Sequence, residues 1–157
     1  MANESIVLLQ DVIEEVAGKM SLPTTPIYAK GEKGYNEALN LQADKEAPFI
    51  MYALEQNGSD SIENNGKANL SYQTTLLFLD FTNNIADEIQ HCFRQMHRIR
   101  VEFLQRLIRT DAYSNVPENQ ALAVTWQERA LLFDSHVSGI QVQFTIKIDP
   151  NIVTPSC

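Results

Sequence analysis

The chain is poor in the residues around which chemistry is usually built. It has two cysteines, Cys92 and Cys157, three histidines, His91, His97 and His136, and a single tryptophan, Trp126. Two cysteines do not make a disulfide framework; a reducing compartment fits, with Cys92 a small core hydrophobe inside a helical pattern. Long apolar runs are lacking too. The longest, Phe49 to Leu54, has six residues, so no membrane span is expected. The Ile6–Leu9 run meets Asp11 too early for a signal peptide, which predicts a protein made in the cytosol. Basic residues are scarce: 12 Lys and Arg against 20 Asp and Glu give a net charge of −8. Affinity for phosphate comes mainly from clustered cations, so this balance argues against a general nucleic-acid binder. What remains is an ordinary globular composition, 44% hydrophobic and 20% charged over 157 residues. That length predicts one domain, 1–157, able to bury a core without a metal or disulfide staple.

Signature loops are missing as well. No Gly-x-x-x-x-Gly-Lys, Gly-x-Gly-x-x-Gly, Gly-x-Ser-x-Gly or Cys-x-x-Cys occurs. Glu88-Ile-Gln-His91 has the spacing that puts two metal ligands on adjacent helix turns. A carboxylate-bridged di-metal site needs a second such motif and two further acids, so a surface Glu–His pair is the simpler reading. Cys92 and His97, five apart, fall on different helix faces and make no thiolate–imidazole pair. The expectation is a non-enzymatic protein with no catalytic residue, no cofactor and no metal.

Periodicity is what the sequence does have. Ile6, Leu9, Ile13, Val16, Ala17 and Met20 recur at spacings of three and four, an amphipathic helix with Asn3 as candidate N-cap and Gly18, Pro23 and Pro26 as its stop. Residues 29–47 are polar and read as an arm, with at most a short strand near Ile27 and Tyr28. Phe49 to Glu55 reads as a buried strand. Gln56 to Asn69, with Asn-Gly at 57–58 and 65–66, reads as a long mobile hairpin tip. Leu70 to Phe81 returns as a strand, apolar on both faces in its second half and therefore central. A long helix follows, with Thr82, Asn83 or Asn84 as caps and apolar residues from Ile85 to Ile108, long enough to overhang a small sheet. Residues 111–120 read as a loop, and Ala121 to Phe133 is mixed, with Leu122, Val124 and Trp126 alternating. Val137 to Ile148 alternates throughout, an antiparallel strand with one wet face, and the tail at 149–157 is expected on the surface. The order α, β-hairpin, α, β-hairpin predicts an α+β fold: a mostly antiparallel four-stranded sheet with two helices packed on one face.

Charge is unevenly spread along these elements. Residues 91–110 hold five arginines and one acid, Glu102, whereas the rest of the chain is acidic. Cations in the last turns of a helix complement its dipole, so part of this signal is local. A solvated helix face explains it; so does a contact with an acidic surface on another copy, for which Arg94, Arg98 and Arg109 are the candidates. Trp126 has the size of a core residue and also the chemistry of an interface anchor.

The end of the chain reads Leu132-Phe133-Asp134-Ser135-His136-Val137-Ser138-Gly139-Ile140-Gln141-Val142-Gln143-Phe144-Thr145-Ile146. Together with the N-terminal amphipathic helix, the polar tip at 56–69 and the helix opening Ile85-Ala86-Asp87-Glu88-Ile89, this layout resembles the small neck and tail-completion proteins of tailed bacteriophages, the tail-terminator-like group. The resemblance implies a virion structural protein, made in the host bacterial cytoplasm, that forms a six- or twelve-fold ring at the head–tail junction or tail end. Its implied partners are copies of itself, other phage neck or tail proteins, and DNA that passes through the lumen without sequence-specific binding. It implies Arg94, Arg98, Arg109 and Trp126 as subunit-interface residues, and no membrane partner. The alternative reading is a small cytosolic adaptor or regulatory subunit that docks a different protein.

Overall fold

A computed structural model describes residues 8–29, 48–53, 56–62, 64, 66, 68–110, 122–132 and 137–149. Two helices, α1 (Leu9–Ala17) and α2 (Ala86–Leu107), lie on one face of a sheet. The sheet has six strands: β1 (Thr25–Ala29), β2 (Phe49–Ala53), β3 (Asn57–Ile62), β4 (Ala68–Phe81), β5 (Val124–Leu131) and β6 (Val137–Ile148). The order is β1-β2-β4-β6-β5, with β3 also on β4. The α+β class and the two helices agree with the sequence reading. The four-stranded sheet does not: the described residues form six strands, and the sheet is mixed because β1 runs parallel to β2. Parallel pairing rules out a hairpin between those two strands.

Each departure has a local cause. Residues 57–62 are a strand, not part of a mobile tip, because β4 is long enough to take two partners end to end along one edge. Its residues 76–79 pair with β2 and its residues 68–73 pair with β3. Between those blocks the β2–β3 side advances from Tyr52 to Asn57 while β4 covers only Leu76 to Gln73, an irregularity that bends the edge. The Gln56 amide bonds the Ala53 carbonyl at 2.6 Å there. Of the two Asn-Gly pairs, the first sits in β3, and only the second supplies a turn residue: Gly66 has φ 86°. The 30–47 part of the expected arm, and the tail beyond 149, lie outside the described residues.

Neither helix starts on the expected cap. Asn3 is outside the described residues, and the N-cap of α2 is Ile85, not Thr82, Asn83 or Asn84. First-turn carboxylates take over. Asp11 accepts the Leu8 N–H at 3.0 Å, and Glu88 accepts the Asn83 N–H at 3.3 Å. These contacts satisfy orphan donors and suit the helix dipole.

The main core lies between helices and sheet. Val12, Ile13 and Val16 of α1, and Met96, Ile99, Phe103 and Leu107 of α2, pack on Ile50, Leu76, Phe78, Ile140 and Val142. Phe78 and Phe103 meet edge to face, centroids 5.4 Å apart. The alternate residues of β2 and β4, Phe49, Met51, Leu77 and Leu79, form a second cluster with Ile27 and Val137 on the opposite face. The second half of β4 is thus buried on both sides, as its sequence predicts. Two polar bonds tie the helices down, and a third, within α2, steadies one of the acceptors. The Tyr52 hydroxyl donates to Glu14 at 2.9 Å, and Glu102 accepts the Ser21 N–H and the Arg106 Nε–H, both at 2.8 Å. Those donors hold the Glu102 carboxyl below its ordinary range.

Candidate functional site

Helix α2 sorts the five arginines into two kinds. Arg100 and Arg106 bond within the molecule, to His97 and to Glu102. Arg94, Arg98 and Arg109 are exposed, and their side chains make no hydrogen bond or ion pair with the described residues. Helical spacing sets Arg94 and Arg98 on one side, with exposed Val101 and Gln105 following in the same row. The opposite side of α2 carries the core residues. Three guanidinium groups therefore face outward with no partner among the described residues, on a chain whose net charge is −8.

Trp126 meets α2 through His97 and Arg100, outside that row, and is not a core residue. It is 51% exposed. It shares the helix-bearing face of the sheet with Val124 and Glu128, but β5 lies at the sheet edge, beyond the cover of α2. Only side chains span the gap. The Trp126 ring meets His97 edge-on, centroids 4.5 Å apart, and the Arg100 guanidinium stands 5.4 Å from its centre, within cation–π range. Arg100 Nε donates to His97 Nδ1 at 3.0 Å, and His97 Nε2 lies 3.1 Å from Glu128. An arginine can only donate, so His97 Nδ1 is the bare nitrogen and Nε2 carries the proton that Glu128 accepts. The indole is thereby held rigid while half its surface faces water. A rigid, half-exposed Trp beside Arg is the composition of an interface hot spot.

The far end of β5 is fixed from inside. Leu131 has φ 53°, a left-handed conformation that a branched side chain seldom adopts. Its N–H bonds the Ser138 hydroxyl at 2.9 Å. That hydroxyl is also 2.8 Å from the Thr82 hydroxyl, and the Ser138 carbonyl accepts from Cys92 Sγ at 3.3 Å. Ser138 is fully buried.

The described residues with catalytic potential share the rim of one cavity without bonding to one another through their side chains. Glu88 and His91 do not pair with each other; His91 bonds Gln95 at 3.1 Å. They border an open cavity of about 400 Å³ with Asp80, Asp87 and Cys92. Burial raises the Asp80 carboxyl above its ordinary range and pushes the Cys92 thiol up to about 11, the reverse of an activated nucleophile. Among the described residues no group of His, Cys, Asp and Glu has the geometry to hold a metal ion. A larger open trough of about 770 Å³ lies over the sheet, lined by neutral side chains such as Gln73, Thr75, Thr125, Gln143 and Thr145, with Lys147 at its end. No described helix is long and apolar enough to cross a membrane.

Sequence reading named Trp126 and the three outward arginines but missed the two residues that set the indole, His97 and Arg100. Their signal was present as a pair on adjoining positions of one helix face, three apart, but nothing local connects them to a strand some thirty residues later. Compared with known proteins, no family model matches the chain and no curated protein matches it.

Proposed function

We propose that the protein is a non-enzymatic virion structural protein that assembles with copies of itself into a ring at the head–tail junction or tail end of a tailed phage, with DNA passing through the lumen. The resemblance in layout suggests that role. The observation that supports it is a surface already prepared for protein contact: exposed Trp126, fixed by His97 and Arg100 of α2, and on the same helix Arg94 and Arg98, which have no partner among the described residues. In an acidic chain, such a patch complements the acidic surface of a neighbouring copy. The other phage neck or tail proteins would dock around that ring.

The test is native mass by light scattering behind a sizing column, across a wide concentration range. The expected result is a discrete six- or twelve-fold species that the double substitution Arg94→Glu, Arg98→Glu dissociates. Unchanged assembly of that variant would remove the arginine face from the interface. A monomer at every concentration would instead favour the adaptor reading.

A further inference from the structure

We infer that the outer edge of β5 is a pairing edge for a second copy of this chain, joined antiparallel, β5 to β5, about a two-fold axis at Gln127. This deepens the self-association reading by naming one contact. It does not supply the head-to-tail contact that a ring also needs, so the two can fail separately.

Among the described residues three strand edges have no partner, and they differ. β1 is five residues long and carries Pro26. The Thr25 N–H points inward to Pro48, so alternation turns position 26 outward, where proline has no N–H to offer. β3 is Asn-Gly-Ser-Asp-Ser-Ile, weak strand formers up to its last residue. β5 is Val-Thr-Trp-Gln-Glu-Arg-Ala-Leu, eight residues with no proline and no lysine, and nothing among the described residues pairs with its outer side. Without proline or lysine, and opening on Val-Thr-Trp, it relies on Glu128 and Arg129 for the charge by which monomeric proteins blunt an exposed edge.

Charge selects the occupant and the register. Two antiparallel strands related by a two-fold axis through the sheet place residues of equal parity opposite each other. Centring on Glu128 or Arg129 sets like charges face to face. Centring on Gln127 sets a neutral amide against its copy, with Trp126 opposite Glu128, Thr125 opposite Arg129 and Val124 opposite Ala130. In that register Glu128 of one copy arrives beside the Trp126 ring of the other, over which Arg100 already stands. Each copy's acid meets the other's cation, twice by symmetry. An isologous contact of this kind needs one surface that complements itself, and β5 has that property.

Sedimentation velocity of the full chain tests the inference. The unaltered protein is expected to self-associate with even-numbered species. Gln127→Lys sets two ammonium groups against each other, with Arg129 of the second copy on the diagonal. It should weaken association roughly fivefold or more. Gln127→Glu is milder because the same Arg129 offsets it, and an equal mixture of the two variants should restore association. Position 127 is exposed, so far-ultraviolet circular dichroism should show both variants folded. A chain that stays monomeric overturns the inference. So does an assembly whose dissociation constant ignores both substitutions; if that assembly still responds to Arg94→Glu with Arg98→Glu, the ring reading survives while the β5 contact falls.

Discussion

Gly139→Ala should be among the most damaging single substitutions in this protein, although it adds one methyl group. Gly139 lies in β6 between β4 and β5, opposite Leu79 on one side and Arg129 on the other. A Cβ there would stand 1.8 Å from the Phe78 carbonyl oxygen and 2.8 Å from its carbon. Carbon and carbonyl oxygen do not approach within about 3.3 Å, so the two strands must separate by about 1.5 Å. β4 and β6 pair over twelve residues, and this point is near one end of that ladder, beneath the core. Loss of the two nearest ladder bonds at about 1 kcal/mol each, with about 1–3 kcal/mol for overpacking, gives a cost of about 3–5 kcal/mol. For a domain of this size that lowers the melting temperature by about 6–15 °C. Gly18→Ala is the internal control. Its Cβ would meet only the Glu14 and Glu15 carbonyl oxygens at 3.5 to 3.6 Å, and φ is −71°, so it should gain about 0.5–1 kcal/mol. Thermal and urea unfolding followed by circular dichroism measure both. If Gly139→Ala melts within two or three degrees of the parent, the close approach of β4 and β6 is wrong.

Other expectations rest on single groups. Tyr52→Phe removes the hydroxyl that reaches Glu14 across the core boundary and should cost about 1 kcal/mol in urea unfolding; an unchanged midpoint would mean that water serves Glu14 equally well. Burial raises the Asp80 carboxyl, so the folded state holds its proton more tightly than the unfolded chain does. Stability from this group therefore falls as pH rises from the ordinary carboxylate range through the raised value. Asp80→Asn should raise the melting temperature at neutral pH, with the gain vanishing in acid, and a gain that persists at low pH would contradict that origin. Cys92, with its thiol pushed up to about 11, should resist alkylation in the native protein at pH 8 and react on unfolding, as read by peptide mass spectrometry.

Strong periodicity marks the elements that could be read in advance. The alternation of Val137–Ile148, the apolar second half of β4 and the three-and-four spacing of both helices each reflect a face buried against the same core. β3 left no such trace, because Asn57-Gly58-Ser59 is held by main-chain pairing with β4 and buries little. The parallel β1 was half legible: Ile27 and Tyr28 signal a strand, but no local feature encodes its direction. Trp126 misleads by size. It stands on the core-facing side of its strand, yet that strand lies one place too far out for α2 to cover, and the charged Glu128 two residues on was the clue. Glu102 and Arg106 are an i, i+4 pair that helix spacing already allows, whereas the setting of His97 between Arg100 and Glu128 depends on β5 and left no local trace.

Leu131 closes the exposed strand in a conformation that costs about 1–2 kcal/mol, and the bond to Ser138 is what offsets it. The shape of an outer edge is thus written by a side chain that solvent never touches. Ser138 has one proton and two lone pairs, and Leu131 and Thr82 engage them together, while its carbonyl holds Cys92 at the first buried turn of α2. Ser138→Ala would orphan the Leu131 amide and let the left-handed residue relax toward an ordinary strand, extending or swinging the end of β5 without altering any surface residue. Surface evolution of the strand and interior evolution of its neighbour are therefore not independent: a hydroxyl deleted in the core is felt first at the rim.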